Sequence, residues 1–213
     1  MDKIVKKIGE KKIFAFVGDR EEPKIENAFK KLQIRHPSFE FLPCVARSLF
    51  SIYRMLIADE SVSSFVLEST IRLKTAMLVR WVERSKCMEI EQFFCDKPWN
   101  FECLITKTLR FNKTLLNKKT SNLDDLWWTR VDEILSVLEP VVDTITVVKN
   151  EKFKISNVLG HLNDLQSKVS NALNRTTEIV ISEREKTTLK EKIAKKIKEV
   201  VDVFFFFFKR SEF

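Results

Sequence analysis

Ile13-Phe14-Ala15-Phe16-Val17 is a continuous apolar run, bounded by Lys11-Lys12 before it and Gly18-Asp19 after it. A run this short, aromatic and β-branched, predicts a buried strand. Pro23 then stands where a helix can begin, because the first helical position needs no N–H. Ile25, Ala28, Phe29 and Leu32 follow at helical spacing, and His36-Pro37-Ser38 ends the pattern. The residue before a proline is pushed out of the helical region of backbone space. Phe39 to Leu42 is a second short strand. Strand, helix and strand within so few residues predict a βαβ unit with parallel strands.

Beyond Pro43 the period changes from two to three and four. Val45, Leu49, Ile52, Tyr53 and Leu56 predict a helix, and Ser61 to Glu83 a longer one. Cys87 to Phe94 reads as a short helix broken at Lys97-Pro98. Phe101 to Leu116 is helical in pattern, and Asn117 to Asn122 is a polar loop. Asp124 and Asp125 open the clearest helix, with Leu126, Trp127, Val131, Ile134, Leu135 and Leu138 as its stripe. Pro140 is expected to kink or interrupt it before Val141 to Val148 continue. Ile155 to Leu173 and Glu183 to Val201 are further amphipathic helices. In the latter, Leu189, Ile193, Ile197 and Val200 form the apolar stripe. Five phenylalanines, Phe204 to Phe208, follow it and are followed by Lys209-Arg210.

Composition agrees with this reading. Only three glycines and five prolines occur among 213 residues, where average usage of the two together is about 12%. So few backbone punctuators argue against an all-β sandwich or barrel and for long helices. Apolar residues make up 44% and charged residues 32%, a globular composition. No apolar run reaches the roughly 20 residues that span a bilayer. Met1 to Lys12 lacks the apolar core of a secretory signal. The cysteines are Cys44, Cys87, Cys95 and Cys103, and the histidines His36 and His161. Their spacing fits no zinc finger, and the thiols read as reduced and intracellular. The net charge of +8 suits either an acidic partner or a solvated basic face.

Several phrases, taken in order, resemble the hAT-family transposases. Phe16-Val17-Gly18-Asp19-Arg20 with Asn27-Ala28-Phe29-Lys30-Lys31-Leu32 looks like the family's strand ending in an aspartate and the helix after it. Leu42-Pro43-Cys44-Val45-Ala46-Arg47-Ser48-Leu49 looks like a second signature, which carries Cys-x-x-His. Val79-Arg80-Trp81 is similar to a later Thr-Arg-Trp phrase, and Leu126 to Val158 to the helical region that follows.

The resemblance implies an RNase H-like fold and a chemistry in which three carboxylates hold two divalent metals that cut DNA. Asp19 matches one of those carboxylates. No upstream strand carries the first, and Ser182-Glu183-Arg184 matches the third's surroundings only superficially, without their tryptophan-rich lead-in. Arg47 stands where the family has His, Phe50 where it has Asn, and Gly18 where it has Thr. One carboxylate of three cannot bind a catalytic metal pair.

The expected fold is therefore mostly α: a partial RNase H-like core with two short parallel strands over residues 1–60, a helical bundle over 61–201, and a phenylalanine-rich tail over 202–213. The expected function is a catalytically inactive, incomplete transposase-derived protein. It is not an enzyme, and it takes no metal or cofactor. It would bind DNA, itself or a related transposase-like subunit, in the nucleus rather than the cytoplasm. A helical protein-interaction module is the competing reading.

Individual residues keep more than one reading. Asp19 is a metal ligand or a cap of the following turn. Cys44 is a nucleophile or a small buried apolar residue. Trp81, Trp127 and Trp128 stack on bases or fill the core. Lys186, Lys190, Lys192, Lys195, Lys196 and Lys198 surround the last apolar stripe. They track phosphates, meet an anionic membrane surface, or form a solvated face.

Overall fold

The computed structural model describes residues 2–9, 13, 15–18, 22–78, 99–119, 124–150, 155–177 and 180–211. Its elements in order are α1 (Asp2–Ile8), β1 (Ala15–Gly18), α2 (Pro23–Arg35), β2 (Glu40–Pro43), α3 (Val45–Ile57) and α4 (Glu60–Leu78). Then come α5 (Phe101–Phe111), α6 (Lys113–Lys119), α7 (Asp125–Val148), a 3-10 turn (Ile155–Asn157), α8 (Val158–Arg175) and α9 (Glu183–Ser211). The chain is mostly helical, with two short parallel strands near its N-terminus and a helical bundle after them. Among the described residues, no helix is long and apolar enough to cross a membrane.

Strands β1 and β2 pair in parallel, Ala15 opposite Glu40 through Gly18 opposite Pro43. Helix α2 joins them, with Pro23 in its first turn and the His36 N–H closing on the Leu32 carbonyl. Alternation along β2 divides two cores. Phe39 and Phe41 turn to a small cluster with Val5, Phe29 and Leu32, while Leu42 joins the large helical core. The Phe29 and Phe41 rings stack with centroids 4.5 Å apart, and Phe16 lies 5.5 Å from Phe39.

The expected burial of β1 is only half met, because Val17 is 60% exposed. A two-stranded sheet leaves β1 at an edge, and α9 packs against β2. Helix α1 is absent from the sequence reading. Val5 buries its apolar side, and Gly9 ends it at φ 94° with its N–H on the Val5 carbonyl. That left-handed conformation suits glycine.

In the bundle, α7 packs against α3, α5 and α8, and α9 packs against α8, α3 and β2. The Asp124 carboxylate accepts the Trp127 N–H at 2.8 Å and caps α7. Pro140 does not interrupt α7, which runs on to Val148. Residues Phe101 to Lys119 form two helices that meet at buried Asn112, whose side chain donates to the Thr108 carbonyl at 2.8 Å. The polar stretch from Asn117 is helical as far as Lys119, not loop. Asn117 there accepts the Trp128 indole N–H. Ion pairs Lys107–Glu139 (2.9 Å) and Arg110–Asp132 (3.2 Å) tie α5 to α7.

The boundaries expected at residues 60 and 201 do not divide the packing. Leu42 and all of α3's buried face belong to the large core, and residues 202–211 continue α9 instead of forming a tail. Phe204 is buried, while Phe205 and Phe206 are exposed.

Candidate functional site

Two surfaces carry the residues singled out by the sequence. The first is α9. Its stripe of Leu189, Ile193, Ile197 and Val200 is buried as expected, and Phe204 extends it. Lys186 does not belong to the solvated face. It is 2% exposed, and its ammonium donates to the Thr176 carbonyl and to the Glu183 carboxylate. The reason is phase: Lys186 lies three residues before Leu189 and seven before Ile193, so helical geometry places it on the apolar stripe.

The other five lysines divide as well. Lys190 is half-buried and donates to the Asn174 side chain on α8, and Lys196 is half-buried beside Glu199 at 3.7 Å. Lys192, Lys195 and Lys198 are exposed, with exposed Glu191, Glu199 and Asp202 among them. Such alternation neutralises much of the field that a phosphate backbone would meet.

Ser182 and Glu185 at the start of α9 form a reciprocal cap. The Glu185 carboxylate accepts the Ser182 N–H at 3.0 Å, and Ser182 Oγ accepts the Glu185 N–H at 3.3 Å. This capping box holds the Glu185 carboxyl below its ordinary range through the Ser182 bonds. It gives Ser182-Glu183-Arg184 a structural role.

The second surface lies at the carboxyl ends of the strands, where open parallel sheets hold their ligands. Gly18 ends β1 and Pro43 ends β2, and the Cys44 N–H donates to the Gly18 carbonyl at 2.8 Å. Asp19 lies outside the described residues, as do Trp81, Cys87 and Cys95. Cys44 is half-buried and precedes α3, whose start has no side-chain cap and no acidic residue in its first turn.

Beside it opens a cavity of about 320 Å³ lined by Cys44, Ala46, Arg47, Phe50, Trp99, Ile145 and Lys149. Arg47 and Arg54 sit one turn to either side of Phe50. Their guanidinium carbons stand 5.7 Å and 4.9 Å from its ring centroid. Trp99 meets Phe50 edge-on at 5.8 Å, and the Lys149 amine stands 5.6 Å from the Trp99 ring. Contacts of this kind contribute about 0.5–1 kcal/mol at exposed sites. A phosphate that takes the Lys149 ammonium as a charge-assisted partner gains about 1.5–3 kcal/mol, more than its contact with the Trp99 ring contributes.

Trp99 is held from the other side. Its ring meets that of Tyr53 edge-on at 5.8 Å, and the Tyr53 hydroxyl donates to Glu102 at 2.9 Å and accepts the Cys103 N–H at 3.2 Å. Burial foremost, and then the Glu102 charge, pushes the Tyr53 phenol above its ordinary range. Burial pushes the Cys103 thiol up to about 12.

The three departures from the hAT-like pattern thus have structural partners. Arg47 and Phe50 line the cavity. Gly18 carries no Cβ, and the space one would need is filled by the Phe41 ring, 2.7 Å away. Trp127 and Trp128 are buried in the large core and offer no stacking surface. Among the described residues, no three His, Cys, Asp or Glu side chains come together as a metal would need. The Arg47-x-x-Phe50-x-x-x-Arg54 spacing was readable as one helix face, but Trp99 and Lys149 join it only through packing.

Comparison with protein-family models, with curated proteins and with solved structures finds no match to this chain.

Proposed function

We propose that this chain is a catalytically inactive, hAT transposase-derived protein that binds nucleic acid in the nucleus. The observation that carries the reading is the cationic, aromatic cavity of Arg47, Phe50, Trp99 and Lys149 at the carboxyl ends of a parallel strand pair. Two of its members stand at positions where the resemblance gives His and Asn. In place of that signature the chain offers positive charge and ring faces, which serve binding to phosphates and bases. The βαβ order around Asp19 is the order that the resemblance implies.

The test is fluorescence anisotropy of labelled single-stranded and duplex DNA with the full chain over a salt series. Phosphate contacts predict affinity that falls steeply with salt. The Arg47→Ala and Lys149→Ala variants should weaken it, while Lys195→Ala should change it little. Binding that ignores salt, or is absent at the lowest salt, defeats the reading. Cutting of DNA with Mg²⁺ or Mn²⁺ that Asp19→Ala abolishes defeats the inactive part of it.

One observation favours the alternative of a helical protein-interaction module. Leu67 and Ile71, one turn apart on α4, are 64% and 58% exposed. Salt-insensitive self-association in sedimentation, lost on Leu67→Glu, would support that role.

A further inference from the structure

We infer that the cleft between the α3–α4 junction and the first turns of α9 binds a free α-amino acid with an apolar side chain. The cleft has a volume of about 390 Å³, at the small end of ligand sites. It lies at the other end of α3 from the cavity beside Cys44, and the two share no residue.

Opposite charges stand on its two walls. Asp59 and Glu60, where α3 gives way to α4, belong to one, and Arg184 and Lys192, two turns apart on α9, to the other. Half-buried Met55 on α3 and buried Leu189 on α9 contribute apolar surface.

The Asp59 carboxylate is held in place before any ligand arrives. Its Oδ1 accepts the Ser61 N–H at 3.1 Å and the Val62 N–H at 3.3 Å, the bonds of a residue that opens a helix. An incoming ammonium can take Oδ2. Burial foremost, with the Glu185 and Glu60 charges adding to it, holds the Asp59 carboxyl above its ordinary range against those two bonds. A cation beside it offsets that repulsion.

A lone cation in this cleft meets Arg184 and Lys192, and a lone anion meets Asp59, Glu60 and Glu185. A molecule that carries both charges avoids the repulsion, which is selection by what the site rejects. An α-amino acid carries them on one carbon. Its carboxylate suits the fork of Arg184, and its ammonium suits Asp59. An apolar side chain then covers Met55 and Leu189.

The experiment is titration calorimetry of the full chain with leucine, glycine, N-acetylleucine and leucinol. N-Acetylleucine lacks the ammonium, and leucinol lacks the carboxylate. Leucine should bind, and each of these two analogues about tenfold more weakly or worse. Glycine, which leaves Met55 and Leu189 uncovered, should also bind more weakly than leucine.

Asp59→Asn keeps the cap of α4, since asparagine caps as well as aspartate. It should weaken leucine and shrink the gap between leucine and N-acetylleucine. Arg184→Gln should shrink the gap between leucine and leucinol in the same way. Melting temperatures equal to that of the original chain show that both variants fold. No heat with leucine, or equal binding of leucine and leucinol, overturns the inference. So does a gap between leucine and N-acetylleucine that survives Asp59→Asn. Equal binding of glycine and leucine overturns the part that concerns the side chain.

Discussion

Adding one carbon at Gly18 tests the packing of the strand pair. A Cβ there would stand 2.7 Å and 2.9 Å from two ring atoms of Phe41 and 3.2 Å from Ile25. Carbon atoms rest at about 3.5–4.0 Å, so the ring must retreat by most of an ångström. It has little room, because Phe41 is buried and stacked on Phe29. Overpacking of this kind costs about 1–3 kcal/mol. Alanine recovers about 0.4–1 kcal/mol by restricting the unfolded chain. Taking the middle of each range, Gly18→Ala is therefore expected to lose about 1.3 kcal/mol. For a chain of this length that lowers Tm by roughly 3–5 °C.

The assay is thermal unfolding followed by circular dichroism, repeated in a Phe41→Leu background. Leucine lacks the two ring atoms, so the alanine penalty should shrink there by about 0.5 kcal/mol or more, as for residues in contact. A Gly18→Ala chain that melts at or above the original refutes the argument. So does a penalty equal in both backgrounds.

Three further outcomes follow from the same structure. Lys186→Ala should destabilise the chain by about 2–3 kcal/mol in urea unfolding, since it removes a buried charged donor, whereas Lys195→Ala on the exposed face should stay within about 0.5 kcal/mol. Asp124→Ala should cost about 1 kcal/mol through loss of the α7 cap, measured the same way. Cys103 is a raised-pKa acid: its folded value of about 12 stands above the ordinary 9.0. The folded state holds that proton longer than the unfolded state does, so its contribution to stability is complete below pH 9.0 and is lost as pH rises to about 12. Unfolding midpoints measured across that window should fall, and alkylation of the native chain at pH 9 should label half-buried Cys44 well before Cys103.

The βαβ unit and most of the helices were legible because their signals are local. Pro23 starts α2, His36-Pro37 stops it, and Asp124 caps α7 within a few residues of where it acts. Helix α1 was not legible, because Lys alternating with Ile and Val hides the burial of Val5 alone. The break at Asn112 was missed because one buried side chain, bonded back to Thr108, makes it. Lys186 was misread although its phase was plain. Charge alone points Lys186 to solvent, but in the fold the Thr176 carbonyl and Glu183 satisfy that charge on the apolar stripe. The candidate cavity was legible only at Arg47 and Phe50, because Trp99 and Lys149 come from distant segments that no spacing rule connects.

The placement of α9 also bears on the order of events during synthesis. The strands and α2 leave the ribosome well before α9, yet the helix that packs against β2 is encoded from Glu183 onward. Until that last helix emerges, β2 lacks one of its covers, and a lone strand pair is marginal in water. The strand pair therefore gains this cover only once the residues from Glu183 onward have been made. A ribosome stalled before Glu183 would carry a sheet open to pairing with other chains, and so a natural client for chaperones that shield exposed strands.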